Sequence, residues 1–400
     1  MTIDEVAEGE FITAYSFNSP ERRDLAKAIE RAQRFHEFGW NVAAYEDGEM
    51  TAFVRTIPFA IRLNGRGLPF GAVGPVVSLP QHRRKGHVGA CLRRALEDMR
   101  ERGISLSGLH TPHPTLYQRY GWEIASEKRV YTFPPKQTVL KAQPEQRGRT
   151  RMLKPDDWSQ ADRVYRTHSA QRNMPLHRGE VWWKEAIFGA SFPLPADVAL
   201  WENDAGEAEG YVVYYQPTTN NGEQDMPPFW IRELTALSTD AYLNLINYIL
   251  RHDLPSKISW YAPVDDPFHS LVDDARQLTI THEYDLMVRI VDVEAALRMR
   301  APANGGQSLA LTLKLSDSSA PWNEGVWRVE SADGAVNVEK AGGEPDLTLS
   351  TTTLAPIYNG FVSPTAAALA GRVEARNEDV LATADALFAT LHPPYCADGF

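Results

Sequence analysis

Cysteine is nearly absent from this 400-residue chain, with Cys91 and Cys396 its only two. Two cysteines do not make a disulfide framework, so the fold has to rest on buried apolar surface. No apolar run approaches the length needed to span a bilayer. The opening residues, Met1-Thr2-Ile3-Asp4-Glu5, lack the basic and apolar regions of a secretory signal. Positive charge is also in short supply: 41 Lys and Arg stand against 52 Asp and Glu, a net charge of −11. That balance argues against nucleic acid as an electrostatic partner and suits a cationic substrate. The expectation is a cytoplasmic protein, without membrane or nucleic-acid partners, acting on a small molecule. The length exceeds one core and implies two or three domains.

What the chain does have is a short basic turn, Pro80-Gln-His-Arg-Arg-Lys-Gly-His-Val-Gly89. A Gly- and Val-rich strand segment (71–79) precedes it, and an amphipathic helix comes after it. Val88, Cys91, Leu92, Ala95, Leu96 and Met99 recur at three- and four-residue spacing, and Gly103 supplies the stop. A helix N-terminus offers free N–H groups and partial positive charge, which suits a pyrophosphate. Gly86 would let the backbone approach such a ligand closely. By itself, a basic helix start is also a common solvated surface.

About thirty residues on lies Leu109-His-Thr-Pro-His-Pro-Thr-Leu-Tyr-Gln-Arg-Tyr-Gly-Trp-Glu123. Tyr117 could be a phenolic acid or a half-buried anchor of a short helix. Tyr120 and Trp122 read as anchors. His110 and His113 lack a nearby Cys or carboxylate set at ligand spacing, so no metal site is expected.

Along the chain, residues 1–140 read as α/β, with a helix over Pro20–Phe38 and hairpin turns at Asp47-Gly48 and Asn64-Gly65. Residues 136–150 look like a linker. Residues 150–291 repeat the outline, with strands at 197–201, 210–216, 229–237, 257–262 and 284–291. Here Ser238-Thr239-Asp240 stands in place of the basic loop, with Asp240 as the expected helix N-cap. Residues 292–400 give strands first and helices after, starting from the alternating Leu309, Leu311, Leu313 and Leu315, an α+β order.

The run Arg83-Arg-Lys-Gly-His-Val88 resembles the coenzyme A signature of GCN5-related N-acetyltransferases (GNAT), with Val88 where Gly or Ala is usual. The Tyr-x-x-x-Gly-Trp segment from Tyr117 matches the same family's order of elements. The last third resembles the sterol-carrier-protein fold. The whole layout resembles the Eis (enhanced intracellular survival) family, including Asp266–Arg276 and the Asp285–Val293 strand. This resemblance implies two tandem GNAT-like domains, the second degenerate, at 1–140 and 150–291, then a sterol-carrier-like domain at 292–400.

It further implies an acetyl-CoA-dependent N-acetyltransferase working by direct transfer to an amine, such as an aminoglycoside, polyamine or lysine-like acceptor. Tyr117 would be the general acid, and the terminal carboxylate of Phe400 the base. The backbone of Val76, Val77 and Ser78 would pair with the pantetheine arm. Arg84, Lys85, Gly86, His87, Val88 and Gly89 would hold the pyrophosphate, and Pro112 and His113 would line the cofactor. Members form hexamers. The competing expectation is a non-catalytic carrier that holds an apolar ligand in its last domain; the intact loop at 83–89 is what that reading leaves without a purpose.

Overall fold

The run Thr2-Ile-Asp-Glu5 starts the first helix, α1 (Ile3–Ser16), as a reciprocal cap. The Thr2 N–H donates to the Glu5 carboxylate at 2.6 Å, and the Glu5 N–H donates to the Thr2 hydroxyl at 3.3 Å. The computed structural model describes residues 1–18, 24, 26, 29–30, 39–142, 145, 147–189, 195–216, 229–303 and 307–400. The helix expected over Pro20–Phe38 lies almost wholly outside them.

Strands β1 (Trp40–Glu46), β2 (Glu49–Leu63) and β3 (Arg66–Val77) come next as an antiparallel meander. Asp47 and Asn64 take positive φ, each succeeded by a positive-φ glycine, the geometry that two-residue hairpin turns require. Helix α2 (His87–Glu101) buries Cys91, Leu92, Ala95, Leu96 and Met99. Its outer face is tied by Arg94 and Asp98 at 2.6 Å. Then come β4 (Leu106–Leu109), the short α3 (Pro114–Gln118) and β5 (Glu123–Ile124).

The next strands are β6 (Glu127–Phe133), β7 (Arg149–Met152), β8 (Asp197–Glu202), β9 (Ala208–Tyr215), β10 (Phe229–Ala236), β11 (Ile258–Ala262) and β12 (Thr279–Tyr284). Helix α4 (Trp158–Ser169) lies between β7 and β8, and α5 (Thr239–Leu250) between β10 and β11. Strand β13 (Met287–Ile290) is next. The final part holds α6 (Val293–Met299), β14 (Leu309–Ser316), β15 (Gly325–Ala332), β16 (Ala335–Lys340), β17 (Leu347–Ser350), α7 (Thr351–Tyr358), α8 (Pro364–Leu369), β18 (Glu374–Ala375) and α9 (Glu378–Phe388).

Sheet order departs from chain order at several places, β6 and β13 among them. The first sheet runs β1-β2-β3-β4-β13-β5, and the second runs β12-β6-β11-β10-β9-β8-β7. Strand β6, expected in the first domain, therefore belongs to the second sheet, and β13, expected in the second, belongs to the first. Compact units divide accordingly: 1–126 with 285–394 and 398–400, and 127–284 with 395–397. Alternation identifies a strand but not its partner, so the exchange of β6 and β13 between the sheets could not be read from the chain. The stretch expected as one strand, 284–291, is the end of β12 and then β13, joined by Asp285 and Leu286.

Within the first unit, Arg289 on β13 is fully buried, and its Nη2 donates to both Asp317 carboxylate oxygens at 2.7 Å. The guanidinium also donates to the Thr351 hydroxyl at 3.1 Å. The arginine of the Asp285–Val293 segment is thus a structural clamp on the last domain, whose sheet runs β16-β15-β14-β17-β18.

Candidate active site

Strands β3 and β4 run parallel and pair over only three residues, Phe70–Ala72 against Leu106–Gly108. Beyond Ala72, β3 continues to Val77 paired, among the described residues, with β2 alone. One edge of Val73–Val77 is left open, and the sheet parts there. An open strand edge with unsatisfied backbone groups accepts an extended, amide-bearing chain. Val76 and Val77 lie on this edge. Ser78 comes next and is buried, its hydroxyl donating to the Thr51 carbonyl at 2.7 Å.

The loop after β3 ends in helix α2 without a side-chain cap, because the N-cap is Gly86. Gly86 has φ +93°, and no described atom stands where its side chain would be. Arg84 also takes a left-handed backbone, φ +65°, which is uncommon outside glycine. The result is a set of first-turn N–H groups pointing outward, with exposed basic side chains around them. Lys85 donates to Glu46 at 2.8 Å, and His87 lies 3.8 Å from the same carboxylate. The pair with Lys85 holds the Glu46 carboxyl below its usual range. Val88 packs on the core beneath the helix. Gly89 is there because the Tyr120 hydroxyl occupies the place of any Cβ, and Arg93 covers the Tyr120 ring.

Tyr117 is buried on α3, edge-on to Trp122, in the same core cluster as Val73, Leu109 and Met287. Burial pushes its phenol up to about 12, against a smaller downward pull from the Thr111 hydroxyl. Thr111 also accepts the His113 N–H at 2.9 Å, which shapes the turn holding Pro112 and His113. Both of those residues are exposed at the start of α3.

The chain's end is docked. The Phe400 ring meets His110 at 4.9 Å, Phe70 at 6.1 Å and Phe59 at 6.2 Å between centroids. Its terminal oxygen lies so close to Gly74 that a Cβ there would come within 3.2 Å. The carboxylate therefore lies over β3 at Gly74, two residues past its pairing with β4. His110, weighed from sequence only as a metal ligand, instead holds this tail. One ring nitrogen is 3.2 Å from the Asp285 carboxylate and the other 3.0 Å from the Asp398 carbonyl. Among the described residues no group of three or more His, Cys, Asp or Glu stands at metal-binding geometry.

The second unit keeps the parted strands but not the loop. Strands β10 and β11 pair in parallel over Phe229–Ile231 and Ile258–Trp260 and then separate. Helix α5 is capped, however: the Ser238 hydroxyl accepts the Ala241 N–H at 3.2 Å and donates to Glu209 at 2.5 Å. Ser238, not the expected Asp240, is the N-cap; Asp240 sits in the first turn. The two carboxylates at this end set the local field against an anion.

Residues 1–125 match the model of an acetyltransferase (GNAT) domain, 175–290 match a second such model, and 293–397 match a sterol carrier protein domain. An uncharacterized N-acetyltransferase of Streptomyces avermitilis is 29% identical over 355 residues, covering 84% of this chain and 83% of the relative. N-acetyltransferase Eis of Mycobacterium tuberculosis is 25% identical over 354 residues, covering 86% and 83%. Among solved structures, a probable N-acyltransferase of Enterococcus faecalis superposes with a TM-score of 0.88 at 22% identity, covering 100% of this chain and 98% of that one. Eis1 of Mycobacterium abscessus gives 0.75 at 24%, covering 90% of each.

Proposed function

Since the chain is an Eis-like acetyltransferase with two GNAT domains ahead of a sterol-carrier domain, we propose that its first half transfers the acetyl group of acetyl-CoA directly to a primary amine. The observation that carries this reading is the uncapped, glycine-led start of α2, at the end of a strand whose edge is open. The residues at 84–89 fit a pyrophosphate, and the open edge at Val76–Ser78 fits the amides of a pantetheine arm. Acetyl-CoA, the co-substrate of GNAT acetyltransferases, supplies the thioester. A net charge of −11 favours a cationic acceptor: an aminoglycoside, a polyamine or a lysine side chain. A cytoplasmic hexamer belongs to the same proposal; no described helix is long and apolar enough to cross a membrane.

An amine is mostly protonated at neutral pH and must lose a proton before it attacks. The Phe400 carboxylate, held against Gly74, accepts it. The amine nitrogen then bonds to the thioester carbon, the C–S bond breaks with its electrons going to sulfur, and nitrogen sheds its second proton to water as the amide forms. Tyr117, at about 12, remains protonated across the neutral range. It is a weaker acid than an ordinary thiol near ~8.5, so complete proton transfer is uphill. Its contribution is a donated hydrogen bond that strengthens as charge builds on sulfur, and the thiolate gains its final proton on release to water.

A thiol-release assay with acetyl-CoA against aminoglycosides, polyamines and lysine peptides tests this. At least one amine should raise thiol release well above the acceptor-free rate. Release that no amine accelerates would contradict the reading.

A further inference from the structure

The second unit has a parted pair of strands with no anion loop beside it, and something else fills the opening. The pairing of β11 with β10 ends at Trp260, while its pairing with β6 continues through Tyr261 to Ala262. The Tyr395 hydroxyl donates to the Tyr261 carbonyl at 3.1 Å. The Tyr395 N–H donates to the carbonyl of buried Asn173 at 3.0 Å. Next along the chain, Cys396 is 2% exposed. A cavity of about 50 Å³ remains beside the ring, lined by Tyr165, His168, Glu233, Thr235, Tyr261 and Tyr395 among others. Residues 395–397 belong to the second unit by their contacts, and 398–400 to the first.

We propose that the second half retains its parted strands as a binding site for the chain's own C-terminal segment. Tyr395 is its ligand, and this seat makes Tyr395 a positioning residue for the Phe400 carboxylate. The proposal rests on the reading of Phe400 as proton acceptor. The chemistry explains why the opening survives without a cofactor loop. In the first half, β3 receives the end of the tail at Gly74, beside the edge proposed for the extended ligand. In the second, β11 receives a phenol from the same tail at Tyr261, five residues earlier. Five residues of chain reach at most ~18 Å, so an anchor at 395 confines where the carboxylate at 400 can go. Without it, the tail has to be ordered from a freer ensemble each time the base is needed, which lowers the fraction of competent enzyme.

The test compares Tyr395→Ala, Tyr395→Phe and a Phe400 deletion, each checked for folding by thermal melt, in steady-state thiol-release kinetics. Tyr395→Ala is expected to lower kcat about tenfold through loss of both ring packing and the hydroxyl bond, with the KM for acetyl-CoA within about twofold of the parent. Tyr395→Phe keeps the ring and loses one bond, so its drop should be about threefold; it also serves if the alanine variant does not fold. In the Phe400-deleted chain, Tyr395→Ala should cost nothing further. If both Tyr395 variants match the parent while the Phe400 deletion is inactive, the seat is refuted and the role of Phe400 stands. If the Phe400 deletion is fully active, the proton-acceptor reading fails, and the positioning role falls with it. An additive loss in the double variant also overturns the positioning role.

Discussion

Each half has its own sheet, each parts between two parallel strands, and the halves differ in the residues just past the opening. In each, two parallel strands pair over three residues and then diverge. The first half next presents Gly86 and an uncapped helix start; the second presents Ser238, whose hydroxyl closes the helix end, beside Glu209 and Asp240. The difference teaches that the parted strands alone do not make an anion site. A few residues at the helix N-terminus decide the sign of the field and whether any N–H is left to offer.

The largest effect expected from this contrast is on chemistry in the first half. Tyr117→Phe removes only the donor and should lower kcat on the order of 100- to 1,000-fold with acetyl-CoA affinity retained. Steady-state and binding measurements separate the two. If Tyr120→Phe is the variant that loses turnover, the hydroxyl packed on Gly89 is the donor and Tyr117 is an anchor.

In the second half the largest effect should be on stability. Asp266 is buried, accepting from the Tyr242 hydroxyl at 2.9 and 3.0 Å and from the Phe268 N–H at 2.9 Å. Burial pushes its pKa from 3.8 to about 6. The folded state then holds a proton that the unfolded chain releases. Stability from this group is full below pH 3.8 and is lost as pH rises through about 6. The loss amounts to about 3 kcal/mol. Asp266→Asn should flatten that part of the Tm-against-pH curve, and an unchanged slope would show that another group is responsible.

A smaller effect is expected at the loop. Gly86→Val forces a branched side chain into φ +93° and fills the space above the helix end. Acetyl-CoA affinity should fall by about 1–3 kcal/mol, measured by calorimetry. The smallest concerns the counterpart cap: Ser238→Ala should cost about 1 kcal/mol in thermal stability and leave acetyl-CoA binding unchanged. Altered binding in that variant would break the contrast between the halves.

Much of this organisation is legible in the chain, because it rests on local pattern. The periodic apolar face of α2, the turns at Asp47-Gly48 and Asn64-Gly65, and the alternating leucines of β14 all state their element directly. Helix α1 is not among the expected elements, although its Thr2–Glu5 cap is just as local. Partnering is not legible. Nothing in β6 or β13 says which sheet each joins, since both read as ordinary strands. Strand β12, Thr279–Tyr284, is exposed along its whole length and carries no buried alternation to reveal it.

The site divides the same way. Loop and tyrosine are set by short-range motif, whereas the contacts of His110 with Asp285, Asp398 and Phe400 span 175 to 290 positions in sequence. Gly74, whose missing side chain makes room for the terminal carboxylate, has no local signature at all. Such residues become visible only once the sheet and the tail are in place.

The central claim is that one half binds the cofactor and the other, despite the same parting of its sheet, does not. Calorimetric titration of the full-length protein with acetyl-CoA tests it most directly. The account predicts one site per chain, weakened by Gly86→Val and untouched by Ser238→Ala. Two equivalent sites per chain, or a single site whose affinity ignores Gly86 and responds to Ser238, would contradict it.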